Sequence, residues 1–257
     1  MENKPATGTE GKKIFFLYPH SVIRDEMLDL LIMAGYETYT LVSEKKARNL
    51  LAKFPGSIMF INIDEGLKEK EWETYIQNIM DDPQTKDSRL GILSYNQDKD
   101  LMKKYLMELS VPCGYIQLKL GIHESTKIIL SALEANEARG RRKYIRADCE
   151  DDMNATLNYK RKDGLYQGKI LDISSAGIAA KFEKFASMEL NSILQGVQLK
   201  LRGGLVMVDM ILMGQRHDDK SVYILLFDPN KLTNENKIVI HHYIKMLLQK
   251  YIDSLKV

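Results

Sequence analysis

Two short motifs about thirty residues apart hold the side chains best suited to chemistry in this chain. The first is the basic run Arg139-Gly140-Arg141-Arg142-Lys143-Tyr144-Ile145-Arg146, in which Arg142 and Arg146 give the spacing R-x-x-x-R. The second is Asp172-Ile173-Ser174-Ser175-Ala176-Gly177, which reads D-x-S-x-x-G. A guanidinium presents rigid paired donors that match phosphate oxygens and the O6/N7 edge of guanine. Arginine forks followed by a small polar turn are what a compact, doubly phosphorylated purine requires. Each motif alone is weak. R-x-x-x-R arises by chance in a chain this basic and then reads as a solvated linker. D-x-S-x-x-G alone reads as a turn in which Asp172 or Ser174 caps backbone amides. Found together and in this order, they are much harder to dismiss.

The other reactive side chains form no convincing group. His241-His242 lies in a helical pattern without a carboxylate at zinc-site spacing, and His217-Asp218-Asp219 reads as a hairpin tip. Cys113 and Cys149 fit no metal-ligand spacing, and two lone cysteines suit a reduced, cytoplasmic compartment. Trp72 and the 13 methionines read as packing. There is no Walker A sequence, no G-x-G-x-x-G after a strand and no serine–histidine–acid set. The expectation is a binding protein rather than an enzyme, with no metal or cofactor.

The elements that must position the motifs follow from periodicity. In the first half, apolar runs at 13–18, 36–42, 57–63, 90–94 and 114–118 read as strands. Helical patterns separate them: one with Val22, Met27, Leu28, Leu31 and Ile32 on a face, then 44–53, 69–80 and 98–109, with a last helix over 123–138 capped by Gly140. Five alternations of strand and helix predict a doubly wound α/β domain. In the second half, short alternating runs at 155–160, 168–173, 178–182, 197–201, 205–213 and 221–227 are separated by turn residues. Six such strands without intervening helices predict a small antiparallel barrel. A closing helix over 234–255 puts Ile238, Ile240, Tyr243, Ile244, Leu247 and Leu248 on its apolar face. The predicted organisation is a disordered lead-in over 1–11, an α/β domain over 12–136 and a barrel domain over 137–257.

Bulk composition agrees. A chain of 257 residues with 44% hydrophobic and 28% charged residues has room for two soluble domains. A net charge of +2 is too small to suggest binding to nucleic-acid polymers. No apolar run reaches the length of a membrane span, so no membrane insertion is expected.

The two motifs, carried by a barrel with a C-terminal helix, resemble the PilZ family of cyclic di-GMP receptors, strongly over residues 137–230. The α/β half is similar to a response-regulator receiver domain in fold pattern only. The PilZ resemblance implies that Arg142 and Arg146 clamp phosphates and stack on or bond guanine, which lysine cannot do equally. It also implies that Asp172 accepts from the N1–H and N2–H₂ edge of guanine, and that Ser174 bonds phosphate or base. Gly177 would let the backbone turn close to the ligand. Arg141 stands where a basic residue goes with binding a stacked ligand dimer in that family. Tyr144 is either a stacking platform or a core contact of the first barrel strand.

The receiver resemblance implies the opposite of activity. The acidic pair expected after the first strand is replaced by Tyr18-Pro19-His20, and the phosphoryl-accepting aspartate by Asn62. Asp64 lies two residues on, Ser94 fits the hydroxyl position, and Lys119 sits one residue late for the family lysine. The expectation is a receiver-like domain without phosphorylation, ahead of a cyclic di-GMP effector. Residues 139–146 would form a mobile linker that the ligand orders, changing the interdomain arrangement and signalling to a downstream protein in motility, adhesion or virulence control. Two alternatives remain: a PilZ-like protein-interaction module without nucleotide binding, and a phosphorylation-driven response regulator.

Overall fold

Continuous apolar runs in the first half build a parallel sheet buried on both faces, as such runs must when helices cover each side. The computed structural model describes residues 11–21, 23–118, 121–183 and 189–257. Strands β1 (Ile14–Leu17), β2 (Thr38–Leu41), β3 (Ile58–Asn62), β4 (Arg89–Ser94) and β5 (Tyr115–Gln117) pair in the order β2-β1-β3-β4-β5, all parallel. Every residue of β1 and β3 is buried. The crossovers are α1 (Leu28–Met33), α2 (Glu44–Lys53), α3 (Glu69–Asp81) and α4 (Lys99–Lys103), with α5 (Ile122–Ala135) after β5. Ser43 caps α2 by accepting from the Lys46 amide at 3.3 Å, and Asp98 caps α4 through the Asp100 amide at 2.8 Å.

Two helices differ from the periodicity reading. A π-helical turn, Ile23–Met27, leads into α1, and another, Lys104–Glu108, follows α4. The last helix is shorter than 123–138 and is not capped by Gly140. Its end is a Schellman turn: Glu137 takes φ +49°, its amide bonds Glu134 O, and the Ala138 amide bonds Leu133 O. Ala138 is buried against the core. Val22, Lys119 and the lead-in other than Gly11 lie outside the described residues.

The second half is antiparallel. Strands β7 (Thr156–Arg161), β8 (Gly164–Ser174), β9 (Gly177–Phe182), β10 (Ile193–Leu201), β11 (Gly204–Gln215) and β12 (Val222–Phe227) run in the order β8-β7-β10-β11-β12-β9, and the β8–β9 pairing closes them into a six-stranded barrel. The six predicted strands are these six. A seventh, β6 (Arg146–Asp148), was not predicted; it pairs with Asp172–Ser174, beyond the stretch of β8 that β7 occupies. Inward residues such as Leu157, Ile170, Val197, Leu199, Val206 and Leu225 are fully buried.

The closing helix α6 (Asn234–Ser254) lies on the β10–β11 hairpin. Asn236 Nδ2 donates to Met207 O at 2.8 Å, and a Cβ on Gly204 would come within 2.8 Å of Val239. Five of the six apolar positions read from its pattern are buried; Ile238 is 68% exposed instead, and Ile252 is buried. Tyr243 donates its hydroxyl to the buried Asp152 at 2.9 Å.

By contacts, the chain divides after Lys143: Tyr144–Tyr251 form the second unit, and Ile252–Val257 group with the first. Among the described residues, no helix is long and apolar enough to cross a membrane.

Candidate functional site

The placement of Asp172 begins with a β-bulge. Along β8, Ile170 pairs with Ala180, Asp172 with Ala179 and Ile173 with Ile178, so Leu171 is an extra residue. Strict alternation would put Ile170 and Asp172 on one face, the buried one. The added residue reverses the parity: Ile170 and Ile173 are both fully buried, and the Asp172 carboxyl is turned outward, 19% exposed.

Short strand β6 brings Arg146 alongside. Its register sets Arg146 opposite Ser174, Ala147 opposite Ile173 and Asp148 opposite Asp172. Arg146 Nη1 lies 4.0 Å from Asp172 Oδ1, too far for a hydrogen bond, and the arginine is 47% exposed. A second arginine, absent from either motif, makes the close contact: Arg216 Nη2 donates to Asp172 Oδ2 at 2.7 Å. Arg216 follows β11 and is 44 residues from Asp172 in sequence. Its only sequence signal is a basic residue beside the turn His217-Asp218-Asp219.

Ser174 and Gly177 close the β8–β9 turn. Ser174 Oγ accepts from the Ala176 amide at 3.3 Å and donates to Gly177 O at 3.2 Å, and the residue is buried. Glycine is required at 177 by the barrel itself: a Cβ there would lie 2.2 Å from Leu225 O and 2.8 Å from the Leu226 Cα of β12. The close approach expected toward a ligand is thus made to a neighbouring strand.

The basic run is less uniform than a mobile linker. Arg139 Nη2 donates to Ala34 O at 2.8 Å, and its guanidinium lies 5.2 Å from the centre of the Tyr36 ring. Arg146 belongs to β6. Between them, Arg141 and Arg142 are exposed and make no hydrogen bond or ion pair among the described residues. Tyr144 is 37% exposed, and Ala147 is the buried residue of β6. The structure therefore gathers Arg146, Asp172, Ser174 and Gly177, and leaves Arg141 and Arg142 on the segment that precedes them.

The strand ends of the α/β unit hold a different arrangement. Asn62 is fully buried; its Nδ2 donates to Tyr18 O at 2.8 Å, and its Oδ1 accepts from the Asp64 amide at 3.2 Å. Asp64 is held on both oxygens, by Ser94 Oγ at 2.5 Å and the Tyr95 amide at 2.7 Å. Tyr18, at φ +52°, donates to Glu44 at 2.8 Å, and burial together with that carboxylate pushes its pKa up to about 12. His20 packs edge-on against Tyr95 with ring centres 4.7 Å apart. Among the described residues, no three His, Cys, Asp or Glu side chains group to hold a metal ion.

No family model and no curated protein matches this chain. Solved structures do. The PilZ domain with c-di-GMP of YcgR from Escherichia coli matches with 17% identity over 45% of this chain and 99% of that one, at a TM-score of 0.37. PlzA of Borreliella burgdorferi in complex with c-di-GMP matches with 14% identity over 48% of this chain, at 0.29; the match spans about half, 47%, of PlzA. The signal receiver domain of an HD domain-containing protein from Pseudomonas fluorescens Pf-5 matches with 20% identity over 51% of this chain and 93% of that one, at 0.41. The YcgR neighbour is thus a PilZ domain and the Pseudomonas neighbour a receiver domain.

Proposed function

We propose that this protein is a cytoplasmic cyclic di-GMP effector, with a PilZ-like domain over residues 137–257 behind a receiver-like domain over 12–136 that takes no phosphoryl group. The observation that carries this reading is the outward placement of Arg146 beside Asp172 on β6 and β8, next to the Ser174–Gly177 turn. That arrangement offers a cation for phosphate and a carboxylate for the donor edge of guanine at one place. Arg141 and Arg142, without a hydrogen bond or ion pair among the described residues, supply two more guanidinium groups on the adjoining segment. Cyclic di-GMP is also the ligand carried by the solved YcgR domain and PlzA.

In the proposed mechanism, ligand phosphates neutralise repulsion among Arg141, Arg142 and Arg146 and order the segment between them. That ordering resets the arrangement of the two domains and exposes a surface to a downstream protein. The ligand need only prefer the ordered state by a few kcal/mol.

Titration calorimetry with cyclic di-GMP tests it. Arg142→Ala and Arg146→Ala each remove a charge-assisted bond worth roughly 1.5–3 kcal/mol, so affinity falls at least about tenfold while circular dichroism is unchanged. A stoichiometry of two, reduced to one by Arg141→Ala, marks a stacked ligand pair. Both single variants binding like the parent would overturn the assignment.

A further inference from the structure

Asp172 stands between two arginines, and they are not equivalent. Arg216 makes a short charge-assisted bond to Oδ2 at 2.7 Å, whereas Arg146 stops 4.0 Å from Oδ1. The Arg216 bond is also the more shielded, with 32% of its side chain exposed against 47% for Arg146. Both ends of the Arg216–Asp172 bond are fixed by backbone. The Arg216 amide donates to Val222 O at 2.8 Å across the start of β12, and the Leu171 bulge fixes the direction of Asp172.

A carboxylate beside a single arginine closes on it, and a ligand must then break that pair before it can use either partner. With Arg216 in place one oxygen of the carboxylate, Oδ2, is already bonded. Arg146 is left facing solvent, and the trio carries one net positive charge instead of none. We propose that Arg216 is a positioning residue of the cyclic di-GMP site: it holds Asp172 in its reading orientation and thereby spares Arg146 for phosphate. The inference rests on the reading of this turn as the nucleotide site, and it is tested both with and without ligand.

Without ligand, the crystal structure of Arg216→Ala is expected to have Arg146 closed onto Asp172 at hydrogen-bond distance. Arg146 still standing about 4 Å away in that variant overturns the inference, whatever the protein binds. With ligand, a double-mutant cycle by calorimetry separates the routes of action. Arg216→Ala should weaken cyclic di-GMP binding about tenfold or more, and Arg216→Lys, which keeps one donor, should recover part of the loss. In an Asp172→Ala background, Arg216→Ala should change affinity less than about twofold. An equal loss with and without Asp172 would mean direct contact of Arg216 with the ligand and would refute the positioning role. If Arg216→Ala fails to fold, Arg216→Gln, which keeps an amide donor without the charge, replaces it in every arm. A parent protein that binds no cyclic di-GMP sinks the functional proposal, while the ligand-free structure still decides the role of Arg216.

Discussion

At the scale of single residues, the D-x-S-x-x-G motif serves the barrel before it serves any ligand. Ser174 spends its hydroxyl on the turn, and Gly177 is small because the β12 backbone passes beside it. Gly177→Ala should therefore destabilise the protein by about 2 kcal/mol or more, since a backbone carbonyl at 2.2 Å cannot swing aside as a side chain could. Urea denaturation of the parent and the variant checks this; equal midpoints would refute it. The motif was legible because its residue types are unusual together. Arg216 was not, because its meaning depends on the fold returning to Asp172 after 44 residues.

At the scale of elements, periodicity located the strands well where alternation or continuous burial was long enough to read. The α2 boundaries agree with the pattern, and so do the six barrel strands. It missed β6, whose three residues acquire strand geometry only from pairing with β8. It also missed the Leu171 bulge, since an inserted residue becomes visible only once its partner strand is aligned. Helix α6 starts on a local signal. Thr233 accepts from the Asn236 amide at 3.2 Å through Oγ1 and from the Lys237 amide at 3.0 Å through its carbonyl. Thr233→Ala removes the side-chain cap and should cost about 1 kcal/mol, read as a lower thermal midpoint. An unchanged midpoint would mean that the cap contributes nothing and that packing of Tyr243 and Ile244 alone sets this helix.

At the scale of the whole molecule, the two units carry different polar groups. The strand ends of the α/β unit present a buried amide at Asn62 and a carboxylate at Asp64 already occupied by Ser94 and Tyr95. Among the described residues, no three His, Cys, Asp or Glu side chains group beside them to hold a divalent cation, and the proposed receiver-like unit without phosphorylation makes a direct prediction. Incubation with acetyl phosphate and Mg²⁺ should leave the intact mass unchanged; addition of one phosphoryl group, lost in Asp64→Asn, would support the phosphorylation-driven alternative.

The sequence alone determined which residue types were present for the chemistry, and where apolar periodicity changes from α/β alternation to barrel strands. Those signals are local, because burial imposes a period of 2 on strands and 3.6 on helices within a few residues. Tertiary structure decided which groups meet and which way they face. A one-residue bulge turned Asp172 outward, a three-residue strand set Arg146 beside it, and a distant turn supplied Arg216. Each is a register or closure effect, fixed by pairing between segments far apart in the chain, and no local pattern encodes such pairing.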